Sequence, residues 1–415
     1  MHRRVVITGL GVVSSIGIGW REFWKGLLAG KSGIGPVTSF DTSEHFTHNG
    51  GEVRNFRPEE FIAPNELSKM SRATHMAVAA TRLAIEDAGL DPHTIEPGRT
   101  GVSHGTTLGS VQTAEEINEL MVKHGRTDID REMLLRTATH STPAAVAGIL
   151  HATGANFMIS TACSAGNYAV AYGYDLIRLG RCDLMFAGAS DPFSRVAFTG
   201  FNQFKAVAPE RCQPFDRERK GMMVAEGAGT LVLESLERAV SRNAKIYAEV
   251  AGCGLSCDAR HMTSPSFAGI VQCMRRALRE AGMGPEDIDY VSAHGTGTLN
   301  NDRAECTAFR EVFGPRYRDV PISSIKSMLG HTMGAASALE AIACALAVTY
   351  DMVPPTINME NADPECDIDC VPNHARQHVV RVAMNNSYAF GGNNLSLIIM
   401  KNDFIRPGDI HAGKH

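Results

Sequence analysis

Cys163 stands in the run Thr161-Ala-Cys-Ser-Ala-Gly166, after an apolar stretch, Phe157 to Ile159, and before small and apolar residues that continue to Leu179. The first stretch reads as a strand and the second as a helix, with a sharp turn at Ser160 to Ser164 that puts the thiol in the helix's first turn. Free backbone N–H groups and the macrodipole at that position favour a thiolate. A free cysteine is ordinarily a core residue. Here Ala165, Gly166, Ala169, Ala171 and Gly173 let the helix pack closely on all sides, as a central buried helix does. A reactive group on a rigid buried element is what preorganised catalysis requires.

Three basic groups accompany the thiol. His294, in Ala293-His-Gly-Thr-Gly-Thr298, follows the apolar run Ile288 to Ser292. The carboxyl ends of strands in open α/β sheets are where ligands bind. Lys326 and His331 share Ser324-Ile-Lys-Ser-Met-Leu-Gly-His-Thr-Met-Gly334. One histidine on such a loop is commonly structural, but three basic groups on two glycine-rich segments, together with a helix-capped cysteine, are hard to explain as packing. A thiol with two neutral imidazoles suits carbon–carbon bond formation from thioesters. The thiol carries an acyl group, and the imidazole N–H groups stabilise the enolate formed when a malonyl carboxylate leaves as carbon dioxide. A cysteine hydrolase would need one base histidine with an orienting carboxamide or acid.

The elements that must position these groups occur twice. Ala84-Ile-Glu-Asp-Ala-Gly-Leu-Asp-Pro-His-Thr-Ile95 aligns with Ala277-Leu-Arg-Glu-Ala-Gly-Met-Gly-Pro-Glu-Asp-Ile288, Val102 to Thr106 with Val291 to Thr296, and Val5 to Gly11 with Ile246 to Gly254. Three matches in one order mark a duplication. Each half alternates β-branched strands (Val5 to Thr8, Leu184 to Ala187, Thr230 to Leu233, Ile246 to Val250) with amphipathic helices. Stacked back to back, two such units make an α/β/α/β/α body. The expected division is an N-terminal half, residues 1–240, carrying the cysteine, and a C-terminal half, residues 241–403, carrying His294, Lys326 and His331, joined through a charged helical link at Glu234 to Ala244. Long functional or interfacial loops are expected at Gly33 to Asn65 and Thr113 to Ser141. The tail, Phe404 to His415, is expected to be mobile.

A chain of 415 residues, 44% hydrophobic and 20% charged, buries a large core. A net charge of −5 without a long basic stripe argues against a nucleic-acid binder. The ten cysteines form no paired C-x-x-C sets, so no metal is expected, and their scatter suggests a reducing compartment. The apolar run after His2-Arg3-Arg4 is broken by Gly9, Gly11, Ser14, Ser15 and Gly17, which fits a buried strand rather than a signal peptide. No stretch has transmembrane character. The reading is cytoplasmic, with no membrane and no nucleic-acid partner.

The segments around Cys163, with Pro214-Phe-Asp-Arg-Glu-Arg219, Ala225-Glu-Gly-Ala-Gly229, His294-Gly-Thr-Gly-Thr298, Lys326, Gly330-His-Thr-Met-Gly-Ala335 and Phe390-Gly-Gly392, closely resemble the elongating β-ketoacyl-acyl-carrier-protein synthases of fatty acid and type II polyketide pathways. The resemblance runs from Arg4 to Lys401. It implies the thiolase fold and a homodimer, or a heterodimer with a related ketosynthase-like subunit. It implies an acyl carrier protein as partner, which supplies a phosphopantetheine arm, and no catalytic cofactor bound by the chain itself.

By that resemblance Cys163 is the acylated nucleophile, His294 and His331 are the decarboxylation pair, and Lys326 orders His331. A plain ion pair of Lys326 with Glu305 is compatible with that role. Backbone N–H groups of Cys163 and Phe390 form an oxyanion hole. Phe390 is a gate whose loop is freed by Gly391 and Gly392. Thr296 and Thr298 hold the pantetheine arm. Leu108 lines the acyl pocket, and Lys69, Arg72, Lys205 and Arg211 are candidates for docking the acidic carrier.

Some positions depart from the family's pattern: Leu299-Asn300 after the threonines, Asn393 after the gate, a short loop from Lys205 to Arg211, and Met222 with Met223. They border the carrier arm and the gate and point toward a specialised polyketide or polyene pathway. The rival of another class is a non-catalytic, chain-length-determining partner subunit, a type that typically lacks the nucleophile. A degradative thiolase would carry a second catalytic cysteine where this chain has Phe390-Gly-Gly392.

Overall fold

The computed structural model describes residues 3–403; the tail from Phe404 lies outside them. Ten strands form one hydrogen-bonded path: β1 (Val5–Ser14), β2 (Thr100–Gly105), β3 (Asn156–Ile159), β4 (Leu184–Asp191), β5 (Gly227–Ser235), β6 (Ala248–Cys257), β7 (Tyr290–Ser292), β8 (Ile322–Ser323), β9 (Val382–Tyr388) and β10 (Asn393–Met400). Their spatial order is β8-β7-β9-β10-β6-β1-β5-β4-β2-β3. Read from each outer edge inward, this is the same order twice, 3-2-4-5-1 and 8-7-9-10-6. The directions repeat as well. β2 is parallel to β3 and β4, and β7 to β8 and β9. The inner pairs of both halves are antiparallel. The half-sheets meet where Val5 to Ile7 pairs antiparallel with Ala248 to Val250.

The helices repeat in step: α1 (Arg72–Ala88), α2 (Ser141–Leu150) and α3 (Ala165–Arg178), then α4 (Phe267–Ala281), α5 (Leu299–Phe313) and α6 (Ala335–Tyr350). α1 and α4 each end on a left-handed glycine, Gly89 at φ 60° and Gly282 at φ 69°, the aligned glycines of the sequence repeat. α3 and α6 pack on each other and on strands of both half-sheets, while α1 and α4 cover the outer faces. That is the five-layered body expected.

Gly166 makes the central contact possible, since a Cβ there would lie 2.5 Å from the Ala338 nitrogen. α6 is buried along nearly its whole length, so its single charged residue, Glu340, must find a partner inside. The stretch from Thr113 to Ser141 is not a loop: it holds helices Val111–His124 and Arg131–Arg136, which leave Met121, Val122, Leu134 and Leu135 exposed. Among the described residues no helix is long and apolar enough to cross a membrane.

Candidate active site

Cys163 lies in a tight turn, Ala162–Ser164, between β3 and α3. Ala162 holds φ at 51°, a left-handed conformation that costs a non-glycine residue about 1–2 kcal/mol. The turn is pinned by the C-terminal half: the Ser164 hydroxyl donates to Asn393 O at 2.9 Å, and the Ser337 hydroxyl donates to Cys163 O at 3.1 Å. Gly166 N donates to Gly334 O at 3.1 Å.

His294 follows β7, as expected from sequence. Its loop is folded around Glu305 of α5, whose two carboxylate oxygens accept the N–H groups of His294 and Gly295 at 2.8 Å each. Glu305 is therefore not the partner of Lys326. The Lys326 ammonium pairs with Glu340 of α6, both side chains 1% exposed. A lone carboxylate in an alanine-rich helix is the sequence signal that could have found Glu340. His331 is fixed through its backbone, donating to Met223 O at 2.6 Å and accepting from Ala225 N at 2.9 Å. Neither ring nitrogen of His331 has a protein partner, so Lys326 acts on it by charge and not by a hydrogen bond.

The Cys163 thiol and the two imidazoles come together, with one ligand atom from each within 4.8 Å of the others. The imidazole rings are 5.6 Å apart at 83°. Burial, the Lys326 charge and the neighbouring imidazole hold His294 well below the ordinary histidine value; burial and Lys326 do the same to His331. Burial pushes the Cys163 thiol up to about 11, against the pull of Lys326 and of the backbone N–H groups of Phe390 and Cys163. Desolvation outweighs the helix N-terminus, which corrects the expected thiolate. The three groups have the spacing of a metal chelate, but a protonated thiol and the nearby ammonium both oppose a cation. The same two N–H groups that reach the thiol can receive an oxyanion.

The site opens into a cavity of about 350 Å³ lined by Thr296, Thr298, Phe390, Met222, Lys205 and Lys220, among others. The Thr296 and Thr298 hydroxyls bond each other at 2.8 Å. The Phe390 ring packs on Phe201 and Phe204, with centroids 5.8 Å and 6.5 Å apart. Gly391 N donates to Met262 O at 2.8 Å, and Gly392 O accepts from Asp258 N at 3.0 Å. Met222, set apart in the sequence, lines this cavity.

Leu108 does not line it; it packs one layer behind, with Phe193, Phe198, Met222 and Met333. Of the four docking candidates only Lys205 stands at the cavity. Arg72 is committed to a two-pronged pair with Glu226, at 2.7 and 2.6 Å. Lys69 pairs with Glu66 at 2.8 Å and Arg211 with Glu360 at 2.6 Å. Lys220, not singled out in the sequence, takes a place on the cavity wall.

Residues 2–239 match the N-terminal domain of β-ketoacyl synthases and residues 247–360 the C-terminal domain. The chain belongs to the β-ketoacyl synthase family. This ketosynthase has the thiolase fold and is an acyl-transferring enzyme that forms carbon–carbon bonds. It is 37% identical over 408 residues to a 3-oxoacyl-[acyl-carrier-protein] synthase 2 of Synechocystis, covering 96% of this chain and 98% of that protein. The ishigamide ketosynthase/chain length factor structure is 44% identical, with TM-score 0.94, covering 97% of this chain and 100% of the other. A type II polyketide ketosynthase bound to its acyl-carrier protein and a hexaketide is 33% identical, with TM-score 0.90, covering 97% and 100%.

Proposed function

We propose that this ketosynthase performs decarboxylative condensation of a Cys163-bound acyl group with malonyl-acyl-carrier protein. The observation that carries the reading is one buried thiol and two neutral imidazoles within 4.8 Å, beside the Lys326 ammonium. In the first half-reaction the Cys163 sulfur attacks the acyl thioester of a carrier. The new sulfur–acyl bond forms as the bond to the pantetheine sulfur breaks, and the Cys163 proton leaves with the departing thiolate. In the second, a malonyl thioester occupies the cavity and its C–CO₂ bond breaks. The electron pair enters the thioester as an enolate, which the N–H groups of His294 and His331 stabilise.

The enolate carbon then attacks the acyl carbonyl, whose oxyanion sits between the N–H groups of Cys163 and Phe390. Collapse releases the β-ketoacyl carrier and returns Cys163 as a thiolate, which takes up a proton. Neutral imidazoles suit this work, since each keeps one N–H donor without adding a cation. Thr296 and Thr298 hold the pantetheine arm.

The 44% identity to the ishigamide ketosynthase/chain length factor, against 37% to the 3-oxoacyl-[acyl-carrier-protein] synthase 2 of Synechocystis, supports a specialised type II polyketide or polyene pathway. β3 presents an open sheet edge. With exposed Phe157 and Tyr172, at 36% and 46%, it supports a dimer, with a second copy or with a related subunit. The acidic carrier docks at the Lys205 and Lys220 side of the cavity. The enzyme acts in the cytoplasm. The alternative is a silent chain-length-determining subunit, which the presence of Cys163, His294 and His331 together disfavours.

The test is intact-protein mass spectrometry after incubation with acyl-carrier-protein thioesters, alone and with a candidate partner subunit. Acylation of wild type and not of Cys163→Ala is expected. Cys163→Ala should retain malonyl decarboxylation, and His331→Ala should lose it. No acylation under any condition would make the chain a silent subunit.

A further inference from the structure

Asp191, the last residue of β4, has no part in the chemistry above, yet it is fully buried. Its Oδ1 accepts the Thr106 hydroxyl and the Leu108 N–H at 2.8 Å each. Its Oδ2 accepts the Thr107 N–H at 2.9 Å and the Gly334 N–H at 2.7 Å. All four donors are neutral. A buried carboxylate held without a counter-cation is costly, and its retention calls for an explanation.

We propose that Asp191 is a positioning residue of the condensation: one carboxylate ties the loop carrying Leu108 to the loop carrying His331 and so sets that imidazole's place relative to Cys163. The inference rests on the roles given above to Cys163 and His331.

The backbone between the two pinned ends supports it. Met333 holds φ at 53°, a conformation that persists only where its surroundings impose it. On one side His331 is paired through N–H and C=O to Met223 and Ala225; on the other Gly334 gives its N–H to Asp191 and its carbonyl to Gly166, three residues past the nucleophile. There is no slack at the junction: a Cβ on Gly334 would lie 2.8 Å from both Asp191 Oδ2 and Thr107 N. The charge of Asp191 also reaches the site, where it raises the Cys163 thiol against the Lys326 ammonium. The other titratable groups at the thiol are His294 and His331, both held neutral.

The experiment compares wild type, Asp191→Asn and Gly334→Ala. It measures decarboxylation of malonyl-carrier protein, thermal melting, and the pH midpoint of Cys163 alkylation by iodoacetamide, followed by peptide mass spectrometry. Both variants should lose roughly 10- to 100-fold in kcat with KM nearly unchanged, the size of a misplaced catalytic group. The alkylation midpoint should fall in Asp191→Asn, where the charge is gone, and stay in Gly334→Ala, where it remains. Wild-type kcat in folded Asp191→Asn, or an unmoved midpoint, would overturn the proposal. If Asp191→Asn does not fold, kcat in Gly334→Ala decides. If wild type itself does not decarboxylate the malonyl thioester, the condensation reading fails, while the alkylation midpoints still report on Asp191.

Discussion

The Lys326 ammonium is bonded to Glu340, so the positive charge that lowers both active-site imidazoles is anchored by the helix that packs against the nucleophile's own helix. Removing one partner of a buried pair strands the other charge and costs roughly 3–5 kcal/mol. Glu340→Gln should therefore lower the melting temperature strongly.

Lys326→Met should act on chemistry as well, with a definite sign. In the proposed mechanism the neutral imidazole is the working form, and in wild type both pKa values lie well below 6.5. Without the ammonium they rise, and protonation intrudes at higher pH. The acid limb of the decarboxylation profile should therefore move to higher pH, in the direction set by loss of the Lys326 charge, with burial still holding both imidazoles down. An unmoved limb would mean that burial alone sets the imidazoles.

Cys163 should alkylate as a buried thiol. With its pKa at about 11, the iodoacetamide rate should climb about tenfold per pH unit through about pH 9 without a plateau. A plateau at neutral pH would restore the thiolate expected from the helix terminus.

That contrast marks where sequence reading ends. The duplication of βα units, the helix ends at Gly89 and Gly282, and the joining of Cys163 with His294 and His331 were readable because the repeat and the glycine spacing are written in the sequence itself, whereas the order of the strands was not. The thiol's state was not, because desolvation depends on everything packed around it. The partner of Lys326 was misread for a related reason. Glu305 is the carboxyl near His294 in sequence, but its oxygens are taken by two backbone N–H groups, a use of carboxylate that side-chain pairing rules do not anticipate. The surroundings of the docking candidates were no more legible: Arg72 and Arg211 pair with Glu226 and Glu360, acids that the fold alone brings near, while Lys69 pairs with Glu66 three residues away.

The two glycines after Phe390 should not be equivalent. Gly391 has φ 83°, and a methyl added there would meet nothing nearer than 3.7 Å, so Gly391→Ala should cost about 1–2 kcal/mol of backbone strain alone. Gly392, at φ 78°, faces Asp258 Cβ at 2.6 Å. Gly392→Ala should add roughly 1–3 kcal/mol of overpacking and displace the Phe390 N–H from the thiol. Melting curves should rank the two, and acylation of Cys163 should fall further in Gly392→Ala.

Lys205 and Lys220 share the cavity wall with Thr296 and Thr298, the threonines proposed to hold the pantetheine arm, while the protein as a whole carries a net charge of −5. An acidic carrier approaching this chain is repelled overall and needs local cations where its arm enters. Charge reversal there should weaken encounter without touching chemistry. Lys220→Glu is expected to raise KM for malonyl-carrier protein about tenfold, the equivalent of roughly 1.4 kcal/mol, at unchanged kcat. A short malonyl-pantetheine thioester, which lacks the carrier's surface, should show no change in either constant. Added salt should shrink the difference between wild type and variant for the carrier-bound substrate, since screening removes the attraction that the variant has already lost. An equal loss with both substrates would instead place Lys220 on the arm's path inside the cavity.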